Sequence, residues 1–217
     1  MKRSSAPPRA TAPALPVGCY HWGMTWPRTT VISTPRLTLR CFGEDDLPAY
    51  ASLNVDPEVV EFLGGPVTPE YTREIAEWAN GLHEREGIGL LAVERTEDGA
   101  FLGMCGLHHL DSFPDDIEIA WRLAREHWGR GYATEAATAW LEYAFTVKRL
   151  PRVISVADPP NVRSVAVMKR LGMTYDRQTR IVEEGQEFEV VVYVITAESW
   201  AASRVGADGL EPPTAGL

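Results

Sequence analysis

The 217-residue sequence predicts one mixed α/β domain in which most neighbouring strands run antiparallel. Several observations carry that prediction. Apolar and polar residues alternate from Arg36 to Phe42 with the period of a half-buried strand. Two further strand-like runs, Ile88 to Glu94 and Phe101 to His108, are joined at Glu97-Asp98-Gly99 as an antiparallel hairpin. Between and after these runs lie segments whose apolar residues recur at helical spacing. With 45% hydrophobic residues and no internal repeat, the chain can bury one substantial core.

Taken in order, residues 1 to 30 are Pro-rich among Ala, Ser and Thr and read as a flexible tail, because such a composition buries too little apolar surface to offset chain entropy. The aromatic segment Tyr20 to Trp26 within it receives no role. The domain occupies 31 to 200. After the first strand, Glu44-Asp45-Asp46 places acids at a helix start, followed by Leu47, Tyr50, Ala51 and Leu53 at helical spacing. A second helix is expected over Pro57 to Leu63, ending at Gly64-Gly65. A third begins at Thr68-Pro69-Glu70 with proline in the first turn and a stripe of Tyr71, Ile75, Trp78, Ala79 and Leu82. The hairpin follows, then a strand over Ile117 to Leu123, a helix over Tyr132 to Thr146 and a strand over Val153 to Ala157. A helix from Val162 to Leu171 is closed by Gly172, and two last strands meet around Glu183-Glu184-Gly185-Gln186. Residues 201 to 217 read as a second flexible tail.

The formal net charge is −9, and the acid-free first thirty residues carry Lys2, Arg3, Arg9 and Arg28, so the body is more acidic still. That balance excludes nucleic-acid binding as the main business and suits a cationic or amine-bearing ligand. Cys19, Cys41 and Cys105 are odd in number and form no Cys-x-x-Cys pair, so neither a disulfide framework nor a metal site is expected, and a reducing cytoplasm is the simplest compartment. No apolar run has the length of a membrane span, and no apolar stretch follows the basic N-terminal residues as in a secretory signal. No membrane partner is expected, and the chain is read as a monomer or homodimer.

The chemistry concentrates where the strand ending at Leu123 runs through Trp128 into Gly129-Arg130-Gly131 and a helix. Glycines allow a ligand to approach the backbone, and the unpaired N–H groups of a helix start carry partial positive charge, so an anionic phosphate belongs there. Thr134 adds a hydroxyl and Arg130 a charge. Taken alone, the same glycines serve equally well as a tight turn. The loop matches neither the nucleoside triphosphate loop nor the three-glycine dinucleotide fingerprint.

The run Trp128-Gly129-Arg130-Gly131-Tyr132-Ala133-Thr134-Glu135-Ala136 resembles the coenzyme A pyrophosphate motif of the GNAT acetyltransferases, particularly their RimJ/RimL-like ribosomal-protein N-acetyltransferase branch. The family commonly has Gln or Arg at the first motif position, where this chain has Trp128. Downstream, Asn161-Val162-Arg163-Ser164 leading to Leu171-Gly172-Met173 is similar to the family's Asn-x-x-Ser helix, and Thr34 to Arg40 resembles its first strand. The resemblance spans roughly residues 32 to 198. It implies a mostly antiparallel sheet splayed between its fourth and fifth strands, here Ile117 to Leu123 and Val153 to Ala157. It also implies acetyl-coenzyme A as co-substrate. The backbone of Trp121, Arg122 and Leu123 would then hold the pantetheine arm, Gly129 to Thr134 the phosphates, and Asn161 would contact the arm while capping its helix.

By the same resemblance the reaction is direct N-acetylation of a primary amine, on a protein N-terminus or a small molecule. An ammonium of pKa near ~10 must lose a proton first, which calls for a carboxylate. Strand alternation puts Glu118, Ala120 and Arg122 on one face, and Glu118 matches a glutamate used as general base by some family members. Glu118 is equally read as a structural partner of Arg122 or a solvent-facing acid. Glu183 and Glu184, in the hairpin loop that overhangs the acceptor in the family, are competing candidates and would also attract an amine. Where many members carry a tyrosine that serves the departing thiolate, this chain has Met168, which leaves Ser164 as the nearest hydrogen-bonding side chain. That departure keeps a second class open, a non-catalytic acyl-coenzyme A binding or sensing module. His108-His109 is assigned to the core or surface, since adjacent strand residues face opposite ways. Trp78, Trp121, Trp128 and Trp140 are assigned to packing.

Overall fold

The computed structural model describes residues 26–183 and 186–205. The first twenty-five residues, Glu184, Gly185 and residues 206–217 lie outside the described residues. The strands are β1 (Thr30–Ser33), β2 (Leu37–Arg40), β3 (Leu90–Arg95), β4 (Phe101–His109), β5 (Ile117–Leu123), β6 (Arg152–Ala157), β7 (Thr174–Glu183) and β8 (Gln186–Thr196). The helices are α1 (Leu47–Leu53), α2 (Pro69–Glu86), α3 (Tyr132–Thr146), α4 (Val162–Arg170) and α5 (Ala197–Val205).

These strands form one eight-stranded sheet in the order β1-β2-β3-β4-β5-β6-β8-β7. Every neighbouring pair is antiparallel except β5 and β6, which are parallel and share the single register pair Glu118↔Ile154. By contrast, β4 and β5 stay in register from Gly103↔Leu123 to His109↔Ile117. Beyond Glu118 the two central strands therefore separate, and a seam opens between the end of β5 and β6. The splay falls between the strands the sequence nominates. They are fifth and sixth here because β1, absent from the sequence expectation, precedes Arg36.

Local chemistry explains the element boundaries. Pro69 starts α2 behind Thr68, whose hydroxyl accepts the Tyr71 N–H, and Gly87 ends it in a left-handed conformation at φ 69°. Residues 55 to 65 depart from expectation: they form separate turns, with Val59 and Val60 N–H groups both donating to Asp56 and Leu63 to Val60. Gly64 and Gly65, both at positive φ, stop propagation, so the expected helix over Pro57 to Leu63 does not form. At the other end, α5 runs on to Val205, past the boundary the composition indicated.

The main core takes Ile75, Ala79 and Leu82 from α2 and Ala136, Ala137, Trp140, Leu141 and Ala144 from α3, the helical stripes legible in the sequence. Trp140 is fully buried and donates its indole N–H to the Cys105 carbonyl at 2.9 Å. Cys105 is equally buried, and burial pushes its thiol pKa far up, as befits a small core residue. One charged cluster crosses this apolar interior: Arg40, almost wholly buried, reaches Asp46 at 2.6 Å and Glu94 at 2.8 Å. Trp26 packs against the core with the Arg73 guanidinium 5.5 Å from its ring.

Candidate active site

A groove of about 730 Å³ runs from the open seam to the start of α3. Trp121, Arg122 and Leu123 of β5, the loop residues Gly129 and Gly131, and Tyr132, Ala133 and Thr134 of α3 line it, as does Asn161. The groove thus takes in the residues the sequence nominates for the cofactor, with the exception of Arg130. Its side chain is exposed and outside the groove wall, because the loop turns outward there. Gly129 and Gly131 have φ of 72° and 81°. Gly131 is the N-cap of α3, so the N–H groups of Tyr132, Ala133 and Thr134 have no helical carbonyl to donate to. They leave partial positive charge at that end of the groove.

Trp128, Arg36 and Thr34 tie this loop and the start of α3 to their surroundings. The Trp128 indole N–H donates to the Leu123 carbonyl at 2.8 Å, tying the loop to the end of β5. Arg36, from the β1–β2 turn, donates to the Arg130 carbonyl at 3.1 Å and pairs with Glu135 at 2.6 Å, while its guanidinium lies 4.7 Å from the Tyr132 ring. The Thr34 hydroxyl donates to the same Glu135 carboxylate at 2.6 Å. Burial works to raise the Glu135 pKa, but the hydrogen bonds from Thr34 and Arg36 outweigh it and hold the carboxyl below its ordinary value.

The cation missing from Arg130 comes from elsewhere. Arg163 of α4 lines the groove and places its guanidinium 4.7 Å from the Trp128 ring centre, a cation–π contact. The sequence motif contains both residues but not their contact, which depends on α4 folding back over the loop. Trp128 and Arg163 together put a positive charge on the groove wall.

On α4, Asn161 is the N-cap and its Oδ1 accepts the Ser164 N–H at 3.1 Å. Ser164 faces both the groove and a smaller cavity that continues it inward. Met168, at the position where a tyrosine is common, is wholly buried in the main core and meets neither space.

The inner cavity is bounded by Glu118, His108, Arg122, Asp158 and Ser155 among apolar walls that include Leu110 and Ile181. Glu118 is 7% exposed. Its Oε1 accepts the Val156 N–H at 3.1 Å, and its Oε2 lies 3.2 Å from His108 Nε2. The solvent-facing alternative does not hold, since Glu118 is buried, and Arg122 donates to Asn54 Oδ1 at 2.6 Å. Burial lowers the Arg122 pKa from its ordinary value, opposed by Tyr50 and Tyr71. His108 is a core residue, as expected, but its acidic partner went unseen because His108 and Glu118 are cross-strand neighbours, a register the intervening loop hides. Glu183 ends β7 beside the turn, and Glu184 lies outside the described residues.

Backbone clearance explains two further residues. A Cβ at Gly103 would come within 2.2 Å of the Arg122 carbonyl, and one at Gly106 within 1.8 Å of the Gly89 carbonyl. Glycine lets β4 lie that close to β5 at Gly103 and to the residue before β3 at Gly106. The site as a whole suits a ligand with an anionic head, against the loop and Arg163, and an apolar arm leading through the seam to a buried carboxylate. No cluster of His, Cys, Asp and Glu among the described residues is placed to hold a metal ion. No helix among them is long and apolar enough to cross a membrane.

Comparison with known proteins agrees with this geometry. The acetyltransferase (GNAT) domain family matches residues 36–174. The uncharacterised Bacillus subtilis protein YkkB is 34% identical over 158 residues, covering 70% of this chain and 89% of the relative. An Aspergillus fumigatus enzyme named FsC-acetyl coenzyme A-N(2)-transacetylase is 30% identical over 195 residues, 82% of this chain and 80% of its own. Among solved structures, an acetyltransferase from Agrobacterium tumefaciens superposes with a TM-score of 0.66 at 32% identity, covering 82% of this chain and 99% of the other.

Proposed function

Since this chain belongs to the GNAT acetyltransferase family, whose members transfer acetyl groups from acetyl-coenzyme A, we propose that it N-acetylates a primary amine by direct transfer, the acceptor being a protein N-terminus or a small amine. The observation that carries the reading is the continuity of the groove: an anion-binding helix start at one end, a strand edge in the middle and a buried carboxylate at the inner end. Bound acetyl-coenzyme A would supply an activated acyl carbon and a stable thiol leaving group.

The chain's own residues divide the remaining work. The backbone of Gly129 to Thr134 and the Arg163 guanidinium hold the phosphates. Edge groups of Trp121, Arg122 and Leu123, beyond the last register pair with β6, orient the arm and donate to the acyl oxygen as charge develops on it. Asn161 fixes the start of α4 by accepting the Ser164 N–H, and the Ser164 hydroxyl would hydrogen-bond the departing sulfur. Glu118 receives the amine's proton, directly or through a water. Among the described residues no cysteine is positioned for a covalent intermediate: Cys41 and Cys105 are both buried in the core. Reduced cysteines also agree with a cytoplasmic setting.

For the acceptor, the loop motif with Trp128 supports the RimJ/RimL-like branch and hence a protein N-terminus, whereas the Aspergillus relative's name denotes N(2)-acetylation of FsC. A panel of peptides and small amines, assayed for thiol release from acetyl-coenzyme A, tests the proposal. Acetyl transfer to one class of amine is expected. The burial of Met168 at the usual tyrosine position favours a second reading, a binding module without turnover. Tight cofactor binding with no thiol release across the panel would establish it instead.

A further inference from the structure

How the amine's proton is handled, given the acyl-transfer reading above, depends on a residue the family motifs do not contain. His108 and Glu118 face each other across β4 and β5, with exposures of 2% and 7%. Their contacts constrain where protons sit. A carbonyl oxygen only accepts, so the 2.7 Å contact between His108 Nδ1 and the His109 carbonyl puts a proton on Nδ1. The other ring nitrogen, Nε2, then faces Glu118 Oε2 at 3.2 Å. Without a proton between them, two lone pairs would oppose each other. One proton shared between Nε2 and the carboxylate removes that opposition.

We propose that His108 is a positioning residue that sets when Glu118 becomes a base. While the pair keeps its shared proton, the carboxylate is neutralised by the imidazolium beside it. Loss of that proton to solvent leaves a pair with room for one more, which it takes from the incoming ammonium. The neutral nitrogen then forms its bond to the acetyl carbon as the carbon–sulfur bond breaks. The nitrogen's surplus proton leaves with the thiolate as thiol, and the pair returns its own proton to solvent.

Other charged and titratable groups surround the pair. Arg122 and Asp158 line the same cavity, Arg122 donating to Asn54 at the end of α1. Asp116, before β5, is paired with Arg152 at 2.6 Å. From α2, Trp78 presents its ring edge to His108 at 6.1 Å between centres, and further along that helix Glu86 pairs with His109 at 2.8 Å. His83, also on α2, is held below its ordinary pKa by burial and by Lys148. Ser155 and Val156 contribute no charge from β6, nor does Ile181 from β7. The apolar walls strengthen the coupling between the two partners.

Nitrogen-detected histidine NMR on the full-length protein, without substrate, tests the shared proton independently of activity. His108 should keep both ring protons well above the ordinary histidine pKa of about 6.5 and lose Nε2–H in one step. In Glu118→Gln that step should move to lower pH, leaving the Nδ1–H tautomer. A His108 titration identical in the two proteins would overturn the proposal. The second measurement is the pH profile of kcat/KM for one peptide α-amine, so that the amine's own ionisation is common to all variants. His108→Gln should move the ascending limb to lower pH, and for each pH unit the limb moves the rate on its acid side, relative to plateau, should rise roughly tenfold. A limb that stays in place while His108→Gln and His108→Asn remain folded contradicts the assignment. Failure of every amine to react with the wild-type protein would remove the acyl-transfer reading, and the NMR titration would still decide on the shared proton.

Discussion

At the scale of single residues, the site depends on a few positions with no spare tolerance. Gly131 caps α3 at φ 81°, a conformation that β-branched side chains do not adopt without strain. Gly131→Val is therefore expected to weaken coenzyme A binding at least about a hundredfold, roughly 3 kcal/mol by calorimetry, because both the loop conformation and the backbone approach are lost. Unchanged affinity would reduce the loop to a turn. Arg163 is exposed and acts through charge, so Arg163→Ala should raise the dissociation constant only about three- to tenfold. That loss should shrink as salt is added. The glycines of the loop were legible in the sequence because their spacing is local. Arg163 was not, because nothing in a linear motif says that residue 163 lies over the ring of residue 128. Glu118 was legible as a candidate by strand alternation, while its partners His108 and Val156 depend on the register of β5 with both neighbours.

At the scale of elements, α3 starts where it does because of two partners distant in sequence. Thr34 and Arg36 converge on Glu135 in its first turn, so the short β1–β2 turn acts as a strap on the phosphate loop. The folded-state pKa of Glu135 is depressed, so the strap's contribution is fully present above the unfolded carboxylate value of about 4.3 and is lost as pH falls through the lower folded value. Glu135→Gln should destabilise the protein by roughly 1–3 kcal/mol at neutral pH in urea unfolding, and the gap to wild type should close in acid below about pH 4. A gap that persists at low pH would assign the loss to packing instead of charge. The helices α2, α3 and α4 could be bounded from sequence because caps and breakers are written into it. The expected helix over Pro57 to Leu63 misled because a short apolar run before two glycines fits a helix end and a string of turns equally well.

At the scale of the whole molecule, β1 to β5 form a meander whose β2–β3 region is pinned by the buried Arg40, Asp46 and Glu94 cluster. Breaking one partner of such a group leaves an uncompensated buried charge. Asp46→Ala should thus cost about 3–5 kcal/mol in denaturant unfolding while leaving the cofactor groove intact in any molecules that remain folded. The mixed fold and its antiparallel character were legible from alternation and hairpin signals. The crossing of the chain from β5 through α3 to a parallel β6 was implied only by resemblance, since pairing between distant strands leaves no local trace. The open seam has one more consequence. At Glu118 and Ile154 the two halves of the sheet are joined by a single register pair, and the Glu118 carboxylate supplies a further link by accepting the Val156 N–H. The group assigned to the chemistry is thus also a bolt between the halves. A lineage that abandoned acetyl transfer but kept this fold would be constrained at residue 118 by architecture, and glutamine, which still accepts that N–H, is the replacement it should tolerate before alanine or any apolar side chain.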